Sequence, residues 1–207
     1  MVEQLDLNRP HVDPDRILRL QKYRKPERVS PVVKETTRAM ASLAESLVAP
    51  HGWLRRVPIR AVGPDGRVQA AGGIEFQSRE LARLLRAATE AVLVVLTIGP
   101  ALEQRADELV ADEQLVEGLL LDTAGWVAID ALIKDVRQRL GAEARTRGLR
   151  LTGRMAPGFA DWALDQQRIL FSALAESTLS VHLTEACIML PRKSISGVYG
   201  LIPIAST

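Results

Sequence analysis

The stretch AVLVVLTIGP, residues 91–100, decides the fold of this chain of 207 residues. Its first six residues are apolar without interruption, whereas a strand with one face in water alternates apolar and polar side chains. Such an uninterrupted run is typical of a strand that is covered on both faces, so we expect it at the centre of a sheet. Gly99 and Pro100 end the strand and turn the chain into a helix.

The segments around this strand mix helical and strand patterns without a regular βαβ order. Helices are expected after the capping residues Asp13 and Ser78, and also over residues 31–47, 114–147 with a break near Gly141, and 161–176. Further strands are expected over residues 53–62, 68–74, 149–152, 179–183 and 195–202. The sequence therefore predicts an α+β fold with a mixed, largely antiparallel twisted sheet and flanking helices. We expect residues 1–50 to form an N-terminal helical segment that packs on a core of residues 51–207, in one compact unit.

Composition excludes several classes of protein. The chain is 47% hydrophobic and 25% charged with a net charge of +2, which is typical of a globular domain. Its basic residues form no block interleaved with aromatic residues, so we expect no nucleic-acid partner. The apolar stretch of residues 91–100 is too short for a membrane span, and we expect no membrane association. The single cysteine, Cys187, allows no intrachain disulfide, which suits the cytoplasm.

Common catalytic motifs are absent from the sequence. It contains no G-x-G-x-x-G, no Walker loop, no C-x-x-C, no H-E-x-x-H and no G-x-S-x-G. Three histidines, far apart in sequence, offer little to a metal site. We therefore expect no metal ligands and no acid, base or nucleophile of a familiar hydrolase.

One loop, RMAPGFAD at residues 154–161, combines features of a ligand site. Proline after Ala156 keeps that residue extended, which leaves its backbone amide and carbonyl unpaired by local structure and open to a ligand. Gly158 permits a positive φ and a close approach to the main chain. Arg154 supplies a planar guanidinium group whose N–H donors can bind a carboxylate, and Phe159 supplies an apolar aromatic surface. The same residues also fit a plain Pro-Gly turn beside a surface arginine.

A second segment, LTEACIMLPRKSISG at residues 183–197, predicts a hairpin in which Gly197 marks a close backbone approach. Taken alone, it also fits a hairpin with a solvated turn. In the long helix, Gly125 beside Ala124 indicates a place where another element packs closely.

The two segments, in this order and about thirty residues apart, resemble the C-terminal reactivation domain of cobalamin-dependent methionine synthase. That family has an R-x-x-P-G-Y loop before a helix and then an L-T-E-S-x-x-M-x-P-x-x-S-V-S-G hairpin. Short free-standing relatives of that domain are similar as well, with an apolar strand running into T-[IL]-G-P and a Q-x-x-[IL]-F pattern, here Gln167 to Phe171. The resemblance covers about residues 74–203 and implies an activation-domain-like fold.

The resemblance also implies roles for four residues. Arg154 would hold the carboxylate of S-adenosylmethionine, backbone groups of Ala156 and Gly158 would contact the ligand, and the ring of Phe159 would lie against it. This chain departs from the family at Phe159, where tyrosine is usual. It departs again near Trp126, where the family places a glutamate that faces the ligand.

The function implied by the resemblance is reductive methylation, the reactivation of an oxidised corrinoid. The chain shows no D-x-H-x-x-G motif of a cobalamin-binding domain, so the cobalamin would be carried by a separate protein, such as a split methionine synthase subunit or a corrinoid methyltransferase system. Electrons would come from a flavodoxin- or ferredoxin-type donor. The alternative is a non-catalytic docking or assembly subunit of such a system that has lost S-adenosylmethionine binding; the Phe159 substitution favours it. Whether the chain is itself an enzyme stays open at this point.

Overall fold

A computed structural model describes residues 1–23, 25, 28–175 and 178–204 of the chain. Within these residues the helices are α1 (Pro14–Leu20), α2 (Pro31–Leu47), α3 (Arg79–Leu85), α4 (Ala101–Ala111), α5 (Leu115–Thr146) and α6 (Gln167–Leu174). The strands are β1 (Glu3–Leu5), β2 (His51–Val62), β3 (Arg67–Ala70), β4 (Ile74–Gln77), β5 (Glu90–Thr97), β6 (Leu149–Leu151), β7 (His182–Leu183), β8 (Met189–Leu190) and β9 (Ser194–Pro203). A 3-10 turn, Leu164–Gln166, precedes α6.

Six of the strands form an antiparallel sheet in the order β4-β3-β2-β5-β9-β6, and β1 joins it by pairing with the start of β2. The strand of the apolar stretch, β5, lies between β2 and β9 and pairs with both along its whole length. Strands β7 and β8 form a separate hairpin. The predicted α+β class with a largely antiparallel sheet is confirmed.

Strand β5 divides its side chains between two cores. Val92, Val94 and Leu96 contribute to a core that includes residues of α1, α2, α4 and α5. Leu93 and Val95 point to the other face, where the core includes residues of α3 and α6. Because successive side chains of a strand point to opposite faces, a strand between two cores must be apolar at every position. This explains why the pattern of β5 is continuous although both of its neighbours are antiparallel.

The predicted helix starts agree with the capping contacts. The Asp13 side chain accepts a hydrogen bond from the amide of Asp15 at the start of α1. The Ser78 hydroxyl accepts one from the amide of Leu81 at the start of α3. Each bond satisfies a helical amide that has no partner within the helix, which fixes where the helix begins.

The structure corrects three predicted boundaries. The return strand expected over residues 68–74 is two strands, β3 and β4, because Gly72 and Gly73 both have positive φ and reverse the chain. The helix expected to break near Gly141 is continuous as α5. The helix expected over residues 161–176 begins only at Gln167, and its predicted last residue, Glu176, lies outside the described residues.

The N-terminal elements contact the rest of the fold through the sheet and through α5. Strand β1 pairs with β2, and helices α1 and α2 both pack on α5. The division into residues 1–50 and 51–207 stays a prediction. Among the described residues, no helix has the length and apolarity that crossing a membrane requires.

Candidate functional site

A cavity of about 540 Å³ lies between α5, the loop of residues 154–159, the start of α6 and the segment of residues 187–196. We call it the Arg154 cavity. Its walls combine apolar side chains such as Ile129 and Ile133 with a few charged ones. A concave and mostly apolar site with a small number of polar groups is the usual form of a small-molecule site.

The loop is attached to β9 beside the cavity. Met155 exchanges two backbone hydrogen bonds with Val198, its amide donating over 3.0 Å and its carbonyl accepting over 2.7 Å. A Cβ atom at Gly197 would lie 2.7 Å from the carbonyl oxygen of Met155 and 2.8 Å from Cγ of Arg154. The close approach predicted for Gly197 is therefore confirmed, and the loop can lie on β9 only because this residue is glycine.

Arg154 lies on the cavity wall with its side chain across Gly197. Its guanidinium donates a hydrogen bond to the carbonyl oxygen of Ser196. Burial lowers the pKa of Arg154, an effect that the nearby Tyr199 partly opposes. An arginine side chain stays protonated in proteins and has five N–H donors in a fork. Arg154 is therefore a fixed, half-buried cation beside an apolar cavity, a suitable partner for a carboxylate.

The turn at residues 156–159 satisfies more of its own backbone than the sequence indicates. The Phe159 amide donates to the Ala156 carbonyl over 3.2 Å, and the Gly158 amide donates to the Trp162 carbonyl over 2.8 Å. Gly158 has a φ of +88°, as its place in the turn requires. The expectation that the Ala156 carbonyl is unpaired by local structure is wrong, because the turn closes on itself.

Of the four predicted site residues, Arg154, Ala156 and Phe159 line the cavity, whereas Gly158 shapes the turn without lining it. The Phe159 side chain is 64% exposed, so its ring lies at the cavity's edge rather than in the core. The structure thus brings three of the four together, and whether they bind a ligand stays a prediction.

Asp161 anchors the far end of the loop rather than starting a helix of its own. Its carboxylate accepts hydrogen bonds from the Ser78 hydroxyl over 2.6 Å and from the Arg79 amide over 2.7 Å. These donors lower the pKa of Asp161, with the Ser78 hydroxyl as the largest contribution. The negative charge lies at the N-terminus of α3, where the helix dipole favours it.

Gln167 is a buried polar residue of the cavity whose role is not evident from the sequence. Its amide nitrogen donates to the Cys187 carbonyl over 2.9 Å, and its amide oxygen accepts from the Ser196 hydroxyl over 2.9 Å. It therefore joins α6 to the turn between β7 and β8 and to strand β9. The Q-x-x-I-F pattern marked this position in the sequence, although nothing in that pattern indicates its partners.

An acidic residue of α5, Asp130, lines the cavity one helical turn after Trp126, near which the resembled family has a glutamate. Trp126 and Asp130 both line the cavity from α5, four residues apart and on one helical face. Asp130 forms an ion pair with Lys134 over 3.0 Å and accepts a hydrogen bond from Arg16. A carboxylate is thus present on the wall that α5 contributes.

Lys193 holds Trp126 at the edge of the cavity. Its ammonium lies 4.5 Å from the centre of the Trp126 ring and 2.6 Å from the Asp122 carboxylate. A Cβ atom at Gly125 would lie 3.0 Å from Cε of Lys193 and 2.8 Å from a methyl group of Leu102. The close packing predicted at Gly125 is confirmed, and it places the lysine stem against the helix.

The fold is that of an α+β protein with a cavity between its long helix α5 and the segment of residues 187–196. A scan against protein families finds no match, and no curated protein sequence matches either. Among solved structures, the chain is similar to the MetH reactivation domain, whose crystal structure has AdoHcy bound. The TM-score is 0.70 at 14% sequence identity, over 100% of this chain and 80% of that one. The activation-domain-like fold that the sequence resemblance implied is therefore confirmed.

Proposed function

We propose that this protein binds S-adenosylmethionine in the Arg154 cavity and supports reductive methylation of an oxidised corrinoid carried by a separate protein. The observation that carries the proposal is the half-buried guanidinium of Arg154 on the wall of an apolar cavity, in a fold shared with a domain that has AdoHcy bound. The resemblance of the 154–159 loop to the family's R-x-x-P-G-Y loop supports it as well.

The residues of the cavity fit this ligand. Its volume of about 540 Å³ falls within the usual range for small-molecule sites. Arg154 would hold the carboxylate of the ligand, and Asp130, whose Oδ2 already contacts Arg16 and Lys134, would offer its Oδ1 to the ammonium group. Trp126 and Phe159 supply aromatic surface for the adenine ring. No acid or base at a reacting atom is required of the protein.

When bound, S-adenosylmethionine supplies a methyl group on a positively charged sulfur. The protein's own contribution is to bind and orient, and orientation alone can lower a barrier substantially. Arg154 is fixed by Ser196, and Ser196 is held by Gln167, so the cation that positions the ligand is itself positioned. A split methionine synthase or a corrinoid methyltransferase system would supply the corrinoid. A flavodoxin- or ferredoxin-type donor would supply electrons, and a cytoplasmic location belongs to the same proposal.

A second candidate function is a non-catalytic docking or assembly subunit of the same kind of system. The observation that favours it is the closed turn, in which the Gly158 amide and the Ala156 carbonyl already have partners within the loop. A loop of this kind offers a ligand fewer backbone groups than an open one. The two functions differ in whether the Arg154 cavity binds the sulfonium ligand.

Isothermal titration calorimetry with S-adenosylmethionine and with AdoHcy tests the proposal. We expect micromolar binding that weakens at least about tenfold in Arg154→Ala, or about 1.4 kcal/mol. Arg38→Ala provides a matched control, because Arg38 is an exposed arginine on α2 and does not line the cavity. A wild-type protein that gives no heat with either ligand would leave only the docking function. If binding is found, methylation of a corrinoid protein in the presence of reduced flavodoxin can be followed by visible absorption.

A further inference from the structure

A second cavity, of about 510 Å³, lies between the C-terminal half of α5 and the edge strand β6. We call it the α5–β6 cavity. Four basic side chains line it, namely Lys134, Arg137, Arg145 and Arg150. No acidic side chain of the described residues is part of its lining. The cavity is therefore a concave surface lined by four positive charges, which attracts anions.

Among the described residues, only one of the four basic side chains of this cavity has an acidic partner. Lys134 pairs with Asp130 over 3.0 Å. Arg137, Arg145 and Arg150 form no ion pair with any acidic residue in the part of the chain that the structure describes. All three arginines are exposed to solvent, which screens their mutual repulsion, and their N–H donors are therefore accessible to an anion that enters the cavity.

The acidic residues of this part of α5 are engaged on other faces of the helix. Asp135 pairs with Arg139 over 2.8 Å, and Glu143 pairs with Arg56 of β2 over 2.6 Å. The separation of charge thus follows the helical surface, with paired acids away from the cavity and unpaired arginines facing it. Residues 134, 137, 141 and 145 share one face because they recur at spacings of three and four.

Gly141 supports a ligand site because no packing contact explains it. A Cβ atom there would meet only Nη1 of Arg145, at 3.8 Å, whereas Gly118 and Gly125 of the same helix are each in close contact with another element. Glycine in the interior of a helix is unfavourable relative to alanine. At Gly141 the absence of a side chain leaves helix backbone exposed in the lining of the cavity, beside the guanidinium of Arg145.

We propose that the α5–β6 cavity binds a phosphorylated small molecule of the nucleoside diphosphate class. A guanidinium group can donate two parallel hydrogen bonds to two oxygens of one phosphate. Three arginines without an acidic partner among the described residues therefore suit a ligand with two phosphate groups. Leu151 and Ile204 give the cavity an apolar wall against which a base or another ring can lie. The basic groups are confined to one concavity and its lining contains no aromatic side chain, which favours a compact ligand over a nucleic-acid strand.

Calorimetry with ADP and with inorganic pyrophosphate, at about 0.15 M ionic strength, tests this proposal. We expect ADP to bind with one-to-one stoichiometry, and Arg145→Gln and Arg150→Gln each to weaken binding at least about tenfold. Arg38→Gln removes an equal charge from α2 and is expected to leave binding unchanged. Gly141→Leu, which places a bulky side chain in the lining of the cavity, should abolish binding while the far-ultraviolet circular dichroism stays that of the wild type.

The outcome is independent of the function proposed for the Arg154 cavity, because Arg154→Ala should leave ADP binding intact. The proposal is overturned if neither probe gives heat, if Arg38→Gln weakens binding as much as the cavity variants do, or if only Arg154→Ala removes it. An oligonucleotide that binds more tightly than ADP and depends on the same arginines would also overturn it, in favour of a nucleic-acid surface.

Discussion

The guanidinium of Arg154 donates a hydrogen bond to the carbonyl oxygen of Ser196, 42 residues further along the chain. This bond joins the two segments that resemble one family in sequence and makes them one wall of the Arg154 cavity. It also uses a donor of Arg154 that a ligand would not need, since the guanidinium has four further N–H groups. The arrangement orients the cation before any ligand arrives, which lowers the entropy cost of binding.

The contact at Gly197 should be essential to this wall. Gly197→Ala places a Cβ atom 2.7 Å from the Met155 carbonyl oxygen, a backbone atom that cannot move without shifting the loop. We expect the free energy of unfolding in urea to fall by about 1–3 kcal/mol. Gly153→Ala is the matched control, because no atom lies within 4 Å of a Cβ atom there. Equal stability of the two variants would contradict the close approach.

The buried amide of Gln167 should contribute to stability through both of its hydrogen bonds. In Gln167→Leu the Cys187 carbonyl and the Ser196 hydroxyl lose a partner, and we expect a loss of about 1–3 kcal/mol in urea unfolding. Ser196→Ala should cost less in the Gln167→Leu background than in the wild type, because the shared bond is already gone. Strict additivity of the two changes would show that the bond contributes nothing.

The carboxylate of Asp161 should make stability depend on pH in the acidic range. Its pKa is lower in the folded chain, chiefly because the Ser78 hydroxyl donates to the charged form. A depressed folded pKa stabilises the fold fully above the unfolded value of about 4, and this stabilisation is lost as pH falls through the folded pKa. We therefore expect the urea midpoint of the wild type to exceed that of Asp161→Asn by a constant amount at neutral pH, and the difference to shrink below about pH 4.

Asp112→Asn, at the C-terminal end of α4, is the control for the loss of an exposed carboxylate. Its effect on the urea midpoint should not follow the acidic profile of Asp161→Asn. A midpoint difference for Asp161→Asn that stayed constant down to about pH 3 would argue against the capping role.

Trp126 should report on occupancy of the Arg154 cavity by its fluorescence. It is 52% exposed, whereas Trp53 and Trp162 are 2% and 1% exposed. Iodide should therefore quench Trp126 selectively, and Trp126→Phe should remove the quenchable fraction of the emission. Addition of AdoHcy should protect Trp126 from iodide in the wild type, but not in Arg154→Ala. Unchanged quenching at saturating ligand, with binding shown by calorimetry, would place the ligand away from α5.

The continuous apolar run of residues 91–96 determined the centre of the sheet, because only a strand between two cores is apolar at every position. The capping residues Asp13 and Ser78 likewise marked helix starts, since their bonds lie within three residues along the chain. Gly197 and Gly125 were identified as sites of close approach from sequence as well. In each of these cases the signal is local, and the sequence contains it in full.

Only the tertiary structure decided what these segments meet. The sequence could not show that Asp161 caps α3, that Gln167 joins Cys187 to Ser196, or that Asp130 completes the cavity wall one turn beyond Trp126. Each of these depends on partners that are close only after the chain has folded. The long helix shows the same division: its periodicity was visible in the sequence, but which of its charges are paired was not. Local sequence patterns determine where helices and strands form. The packing of distant elements determines which residues form a site, because hydrogen bonds and ion pairs form between neighbours in space.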